Sequence, residues 1–339
     1  MTDTDNEQER RSYQKINYAL RPAKAAERKM LCEGMRRLSS FYKIEKYRYI
    51  GFGSTYFSDF LIIHRSLGIN NMVSIERNVQ DKPRFEFNKP YKCIDLRFGP
   101  SSEILPILEW DTPTILWLDY DGKLSSEMLG DIGLFCAKAE PGSMVIISAN
   151  AHPDGNDNRD PKALNDYRLR KLIEMVGRER VPASTQGKDL TLKGKAGVLR
   201  RIIHNEILET LSKRNGGLLD EKKLQYHQIF NFTYQDGAKM LTAGGVIYSR
   251  NQLAIFEKCA FNDLEFYKPG EEEFNIGIPK LTFREIRYLD KKLPPRNQDG
   301  AEIALTAEDL GDLAVVPEED IQDYMKIYRY FPNFAEADI

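Results

Sequence analysis

The sequence predicts an α/β fold with a doubly wound, mostly parallel sheet, and three observations support this prediction. Short apolar runs suited to buried strands alternate with segments whose apolar residues recur at helical spacing, from about residue 47 to residue 148. Two glycines follow the first of these strands, where the chain must turn tightly into a helix. The later segment YHQIFNFTYQDGAKMLTAGGVIYS is typical of a hairpin around the turn QDGAK. We therefore expect seven strands, of which the last is antiparallel to its neighbours.

The chain that precedes the first strand divides into two segments. Residues 1–11 are polar and poor in apolar side chains, which is typical of disorder. Residues 12–46 are expected to form an N-terminal helical cap, because their apolar residues recur at helical spacing. Pro22 interrupts that pattern, so two helices are predicted, the second with Pro22 in its first turn.

A core domain is predicted at 47–250, where strands and helices alternate. The predicted strands are 48–51, 72–76, 91–94, 114–119 and 143–148, and the predicted helices are 57–67, 101–108 and 125–139. Such strand–helix–strand units are right-handed and place helices on both faces of a parallel sheet. A basic helical insertion is predicted at about 155–220, before the hairpin, and a small, acidic C-terminal helical extension at 251–339.

The composition excludes several classes of protein. Four cysteines among 339 residues lie far apart and form no C-x-x-C pair, so neither a zinc site nor a disulfide framework is expected. No apolar run approaches the roughly 20 residues that span a bilayer. The polar start MTDTDNEQERR also lacks the apolar centre of a secretory signal. We expect a cytoplasmic protein with no membrane partner and no cysteine-bound metal.

A glycine-containing turn is the strongest sign of a ligand site. The stretch YIGFGSTYF places Gly51 and Gly53 where a buried strand ends and a helix begins. Glycine there allows a tight turn and lets main-chain N–H groups approach a ligand. A dinucleotide site of the form G-x-G-x-x-G requires a third glycine, but the bulky Tyr56 holds that position. This substitution weakens the dinucleotide alternative.

The same stretch resembles the first motif of class I S-adenosylmethionine-dependent methyltransferases, and the likeness in order and spacing covers about 47–249. In that family an acid at the end of the second strand pairs with the ribose hydroxyls, and Glu76 matches it. The resemblance further implies that Asp95 in CIDLRFG, or one of its neighbours, faces the adenine and that Asp119 in WLDYDG lies near the methyl donor. It also implies a Rossmann-like sheet and S-adenosylmethionine as the cofactor. The remaining predicted cofactor contacts are the neighbours Ser54, Tyr56 and Arg77.

Two positions depart from the motif of the family. Tyr49 stands where the family has an acid that helps to hold the methionine amino group, and Thr55 stands at the usual third glycine. Asp59 and Asp119 are the candidates to replace that acid. These departures leave open a non-catalytic binding or scaffold module on the same fold.

The residues that follow the fourth and fifth strands are the candidates for catalysis. In small-molecule O-methyltransferases an Asp near this position binds a metal, or a Lys deprotonates a hydroxyl. Asp119 and Asp121 suit the first role and Lys123 the second, and Tyr120 lies between the two acids. His152, just after the fifth strand, is a further candidate base because the pKa of a histidine lies near neutrality.

Two more segments favour one subfamily, since NYALRPAKAAERKMLCEGMRRL and YRYFPNF resemble segments of a bacterial group of O-methyltransferases. The predicted function is methyl transfer from S-adenosylmethionine to an oxygen of a small molecule or of a protein side chain. The alternative is a methyltransferase of RNA or DNA bases, because basic residues concentrate between Arg10 and Arg48 and between Lys162 and Arg201. The net charge of -2 does not favour a nucleic-acid partner.

Overall fold

The computed structural model describes residues 21–155, 160–295, 305, 311 and 315–332. The predicted disorder of residues 1–11 and the first helix of the predicted cap lie outside the described residues. The strands are β1 (Arg48–Gly51), β2 (Asn71–Glu76), β3 (Ile94–Phe98), β4 (Thr114–Lys123), β5 (Ser143–Asn150), β6 (Leu224–Asp236), β7 (Ala238–Ser249) and β8 (Phe274–Ile276). The α-helices are α1 (Pro22–Arg37), α2 (Ser58–Leu67), α3 (Lys82–Asn88), α4 (Ser101–Ile104), α5 (Ser126–Lys138), α6 (Pro161–Val176), α7 (Lys195–Asn215), α8 (Leu253–Lys258), α9 (Phe283–Asp290) and α10 (Glu318–Ile327).

The described residues form one eight-stranded sheet in the order β3-β2-β1-β4-β5-β7-β6-β8. Strands β1 to β5 are parallel, and β7 is antiparallel to both β5 and β6. This order confirms the predicted doubly wound, Rossmann-like sheet with a hairpin near its end. The expected count of seven strands is wrong, because β8 pairs in parallel with β6. A strand of three residues is too short to show the alternation that identifies strands in a sequence.

The strand order reverses between β1 and β4, and this reversal positions the site. Gly51 at the end of β1 lies opposite Ser74 of β2 and Trp117 of β4. In open α/β sheets, ligands bind beyond the carboxyl ends of the strands at such a reversal. The loops that follow β1, β2 and β4 therefore meet at one edge of the sheet.

Each face of the sheet is covered by its own hydrophobic core. Side chains alternate along β4, so Trp117 packs into the core beneath α1 and α2, which we call the α1 face. Leu118 and Tyr120 pack into the core beneath α5 and α7, which we call the α5 face. Asp119, two residues after Trp117, lies on the α1 face. Consecutive residues at the end of β4 thus serve opposite faces of the sheet.

Helix α1 begins at Pro22, as predicted, and it buries charged residues. The residue before the helix, Arg21, supplies no side-chain cap. Asp236 at the end of β6 takes this role, because it accepts a hydrogen bond from the backbone N–H of Lys24 at 3.1 Å. Lys24, Glu27 and Arg28 are all buried. Charged groups are rarely buried without partners, so the surroundings of this helix must supply them.

The C-terminal segment holds the outer side of α1. Lys29 Nζ donates to the backbone carbonyl of Phe331 at 3.1 Å, and Tyr330 OH donates to Glu33 Oε2 at 2.5 Å. Because Arg28 lies on the same helix, the C-terminal segment helps to fix a helix that also contributes to the cavity described below.

Helices α6 and α7 lie between β5 and the hairpin, where the basic helical insertion is predicted. The predicted boundaries of the cap at 12–46, the core at 47–250 and the extension at 251–339 stay predictions. Among the helices that the structure describes, none is both long enough and apolar enough to cross a bilayer.

Candidate active site

The turn after β1 is tight and depends on glycine. The backbone N–H of Phe57 donates to the carbonyl of Gly53 at 2.8 Å, and Ser54 and Phe57 both have a φ of 49°, in the left-handed region. A Cβ added to Gly53 would lie 2.6 Å from the ring of Phe57 and from Ser74 Oγ, which is closer than real Cβ atoms approach. Only glycine therefore allows this backbone to pass between its neighbours.

Glu76 at the end of β2 contacts this turn directly. Its Oε1 accepts a hydrogen bond from the backbone N–H of Gly53 at 2.9 Å and another from Ser74 Oγ at 2.7 Å. Within the described part of the chain, no hydrogen bond reaches Oε2, which remains available to a ligand. Burial raises the pKa of Glu76 to about 7, although these two hydrogen bonds act in the opposite direction.

A cavity of about 430 Å³ lies at this edge of the sheet and reaches both faces. Gly53 and Glu76 line its centre. Arg28, Asp59 and Asp119 line it on the α1 face, which gives that end two carboxylates and a guanidinium. The residues that line it on the α5 face include Phe52, Ser101, Tyr120, Met128 and Asp131. The two ends therefore differ in chemistry, since one holds a guanidinium and two carboxylates and the other combines rings and hydroxyl groups with the carboxylate of Asp131.

Two ion pairs order the charged end. Arg28 Nε pairs with Asp59 Oδ1, and Lys24 Nζ lies 2.6 Å from Asp119 Oδ1. Burial alone would raise the pKa of Asp119, but the Lys24 ammonium outweighs it and holds this pKa below its usual range. Burial would likewise lower the pKa of Arg28, whereas Asp59 raises it. Asp119 and Arg28 are therefore charged at neutral pH.

Tyr49 lies beneath the glycine turn, at the position where the resemblance implies an acid. Its side chain is fully buried, and its hydroxyl makes no hydrogen bond with any described residue. A Cβ on Gly51 would lie 2.6 Å from this hydroxyl. Burial and the charges of Asp59 and Asp119 raise the pKa of Tyr49 well above its usual value, so the phenol stays neutral. The two proposed replacements for the missing acid both line the cavity.

A hydrogen-bonded group of three side chains lies at the α5-face end. Asp131 Oδ2 accepts from Ser101 Oγ at 2.5 Å and from Tyr120 OH at 2.6 Å. The rings of Phe52 and Tyr120 meet edge to face with their centres 5.0 Å apart. Burial raises the pKa of Asp131, although the two hydroxyl groups oppose this shift. Burial and the Asp131 carboxylate raise the pKa of Tyr120, so its hydroxyl remains a donor.

A family model with the description "Putative O-methyltransferase" matches residues 16–339. The chain belongs to this family. The match confirms the predicted resemblance to a family of O-methyltransferases. Among curated proteins, none matches the chain.

Solved structures of methyltransferases are similar to this chain only at a distance. Human N-acetylserotonin methyltransferase, solved in complex with S-adenosylmethionine, is 14% identical with a TM-score of 0.31, over 63% of this chain and 51% of that chain. An O-methyltransferase family protein from Burkholderia thailandensis is 13% identical with a TM-score of 0.30, over 65% of this chain and 57% of that chain. The chain thus spans about half the length of these proteins.

Most of the predicted site residues line the cavity. Those that do are Gly53, Ser54, Glu76, Arg77, Asp119, Tyr120 and Asp121. Their roles in binding or catalysis stay predictions. Gly51 lies one residue before the lining segment, at the end of β1, and Tyr56 lies outside the lining with 37% of its surface exposed.

Asp95, predicted to face the adenine, lies outside the cavity lining. Asp95 lies inside β3 opposite Val73, is exposed, and pairs with Arg97 at 2.7 Å. This placement follows from the strand boundary, because β3 spans Ile94–Phe98 rather than the predicted 91–94. The loop that follows the strand therefore begins at Gly99 and not near Asp95.

The structure also places the two predicted bases away from the cavity. Strand β4 continues to Lys123, where the predicted strand ends at residue 119, and Lys123 Nζ pairs with Asp154 Oδ1. His152 does not line the cavity either; its backbone N–H donates to Asn150 Oδ1 at 2.8 Å, and its carbonyl accepts from Lys195 Nζ at 2.8 Å. Neither residue lines the cavity, and their roles as bases stay predictions.

Three residues that line the cavity are not predicted from the sequence: Arg28, Ser101 and Asp131. A signal existed for Arg28, because Lys24, Glu27 and Arg28 recur at the spacing that puts side chains on one helix face. Asp131 also interrupts an apolar stretch, MLGDIGLF, which is a sign of a charged group on the buried face of a helix. Among the described residues, no three His, Cys, Asp or Glu side chains gather as a group of metal ligands.

Proposed function

We propose that the cavity at the carboxyl edge of the sheet is the methyl-donor site and that the acceptor is a hydroxyl group of a small molecule. Glu76 carries this proposal. One of its oxygens is held by Gly53 and Ser74, and the other is available. A carboxylate in this arrangement accepts hydrogen bonds from the two neighbouring hydroxyls of a ribose without first having to be ordered.

The charged end of the cavity suits the methionine part of the donor. The Arg28 guanidinium matches a carboxylate, and Asp59 and Asp119 match an ammonium group. These two acids supply the function that the family motif assigns to the position of Tyr49. The absence of a Cβ at Gly53 also lets the donor approach the backbone closely.

The charge of the lining supports the same assignment. The acidic lining residues are Asp59, Glu76, Asp119, Asp121, Glu127 and Asp131, and the basic ones are Arg28 and Arg77. S-adenosylmethionine carries one net positive charge, from a sulfonium and an ammonium against one carboxylate. An acidic cavity therefore attracts this donor, whereas it repels a polyanion.

When bound, the donor supplies a methyl group on a positively charged sulfur, which is open to in-line attack by an oxygen. The residues of the chain align the two partners and exclude water. A proton must leave the acceptor hydroxyl, and among the described residues the cavity lining contains no His, Lys or Cys to take it. Asp119 is a weak base because Lys24 lowers its pKa. Asp121, which is exposed and also lines the cavity, is the carboxylate that we assign as proton acceptor.

Calorimetric titration with S-adenosylmethionine and S-adenosylhomocysteine tests the donor site. We expect both compounds to bind the native protein. Glu76→Ala should lower the affinity for S-adenosylhomocysteine by about 10-fold or more, because hydrogen bonds to a charged group contribute about 1.5–3 kcal/mol. Glu103→Gln is the matched control, since Glu103 is exposed and lies outside the cavity lining. Equal affinity of the native protein and Glu76→Ala would contradict the proposal.

The nucleic-acid alternative has less support from the described basic residues. Several cations of the basic segment are paired with acids of the same chain: Arg180 with Glu206, Lys195 with Asp154, and Arg200 with Glu271. Cations held this way are less available to phosphates. A base methyltransferase remains an untested alternative, which salt-dependent binding to RNA or DNA would support.

A further inference from the structure

The group formed by Ser101, Tyr120 and Asp131 leaves one carboxylate oxygen directed to the cavity. Both hydroxyls donate to Asp131 Oδ2. Within the described residues, no hydrogen bond reaches Oδ1, and this oxygen is not sealed from solvent. Asp131 is only 4% exposed and lines the cavity, so the remaining access to Oδ1 is through the cavity.

The position of this group determines which part of a ligand it meets. The opposite, α1-face end holds Arg28, Asp59 and Asp119, which suit an amino-acid group. The α5-face end offers the rings of Phe52 and Tyr120, which suit a flat aromatic base. If a ribose sits at Glu76 between the two ends, the base lies at the α5-face end.

We propose that Asp131 recognises the exocyclic 6-amino group of the adenine, and that Ser101 and Tyr120 orient its carboxylate for this contact. This inference rests on the proposed function. An ionised carboxylate accepts hydrogen bonds and donates none. Oδ1 therefore favours a base with an N–H at position 6 and disfavours one with an oxygen there. Asp131 is thus the residue that sets the specificity for the base, a role that the sequence suggested for Asp95.

The test compares the binding of S-adenosylhomocysteine with that of S-inosylhomocysteine, in which an oxygen replaces the 6-amino group. By calorimetry we expect the native protein to bind the adenosyl compound about 10- to 100-fold more tightly, since the oxo analogue loses a hydrogen bond to a charged group. The native comparison needs no variant, and equal affinity for the two compounds would overturn the inference.

Asp131→Asn gives the sharper test. The two hydroxyl donors would keep the amide oxygen at the place of Oδ2, so the amide N–H₂ would replace Oδ1 at the cavity. We expect the preference to disappear or to reverse towards the inosyl compound. Glu127→Gln is the control, because it removes another carboxylate of the cavity lining and should change both affinities by the same factor.

The outcomes separate the two proposals. If the native protein binds S-adenosylhomocysteine but Asp131→Asn keeps the native preference, the inference fails while the donor site stands. If the native protein binds neither compound, both fail. Should Asp131→Asn not fold, as judged by its thermal melting, Tyr120→Phe replaces it. We expect Tyr120→Phe to reduce the preference for the adenosyl compound over the inosyl compound. An unchanged preference in Tyr120→Phe would then count as failure.

Discussion

Lys24 Nζ lies 2.6 Å from Asp119 Oδ1, and this ion pair joins the N-terminal helix to the end of β4. The same ammonium lies 2.7 Å from Glu27 Oε2 and 4.7 Å from the centre of the Trp117 ring. Burial would lower the pKa of Lys24, but Asp119 and Glu27 raise it well above its usual value. Helix α1 is therefore an integral part of the site, because a buried ion pair fixes it to the sheet.

Replacement of this lysine should strongly destabilise the protein. Lys24→Met leaves Asp119 and Glu27 without their buried cation, and removal of one partner of a buried ion pair costs about 3–5 kcal/mol. Urea denaturation followed by circular dichroism measures the free energy of unfolding. Lys46→Met, at an exposed lysine, should change it by less than about 0.5 kcal/mol. A loss below about 1 kcal/mol for Lys24→Met would show that the pair contributes little.

The local features of the site could be predicted from the sequence. Two local patterns are recognisable within a few residues: a strand that ends at Gly51 shortly before Gly53, and a second strand that ends at Glu76. The parallel order brings them together. The end of β3 is less predictable, because it lies four residues later than the sequence indicates, and this places Asp95 in a strand rather than in a loop. Strand ends depend on pairing with neighbours that are distant in sequence.

The contributions of Arg28 and Asp131 could not be predicted in the same way. Each lies on a helix, and no local pattern shows which strand end a helix will reach. Arg28 meets Asp59, 31 residues later, and Asp131 meets Ser101, 30 residues earlier. Such contacts follow from the packing of α1 and α5 on opposite faces of the sheet, which only the complete fold defines.

Gly53→Ala should disturb both stability and binding. The added methyl group would lie 2.6 Å from the Phe57 ring and from Ser74 Oγ, and such overpacking costs about 1–3 kcal/mol. The contact between the Gly53 N–H and Glu76 should shift as well, so S-adenosylhomocysteine should bind more weakly. Gly130→Ala is the matched control: Gly130 lies within α5 with no atom within 4 Å of a new Cβ. That variant should be more stable by about 0.5–1 kcal/mol. Equal stability of the two variants would refute the steric argument.

The raised pKa of Glu76 predicts that donor binding depends on pH. Burial raises this pKa to about 7, and only the ionised form accepts hydrogen bonds from both ribose hydroxyls through Oε2. As pH rises from 6 to 8, the ionised fraction increases, so the affinity for S-adenosylhomocysteine should rise by about 10-fold. Glu76→Gln should bind weakly at both pH values and lose this dependence. A native affinity that is constant from pH 6 to 8 would contradict the prediction.

The same group should make the free protein less stable as pH rises. Glu76 ionises at about 4.5 in the unfolded chain and at about 7 in the folded one, so between these values the folded state binds the extra proton. The contribution of Glu76 to the free energy of unfolding therefore falls as pH rises through this window, by up to about 3 kcal/mol. Urea denaturation at pH 5 and pH 8 measures the change, and Glu76→Gln should show a smaller fall. A larger fall in the variant than in the native protein would exclude this cause.

Tyr49→Phe should leave the protein as stable as before or stabilise it, because the hydroxyl is fully buried and has no hydrogen-bond partner among the described residues. Removing an unsatisfied polar group relieves a cost of about 1–3 kcal/mol. Tyr47 offers a matched control two residues earlier, since it is equally buried but donates to the carbonyl of Gly142 at 2.9 Å. Tyr47→Phe should therefore lose about 0.5–1.5 kcal/mol. Thermal and urea denaturation of both variants give the comparison. If Tyr49→Phe loses as much as Tyr47→Phe, the Tyr49 hydroxyl has a partner in solution, and a water molecule beneath the glycine turn becomes the explanation to test.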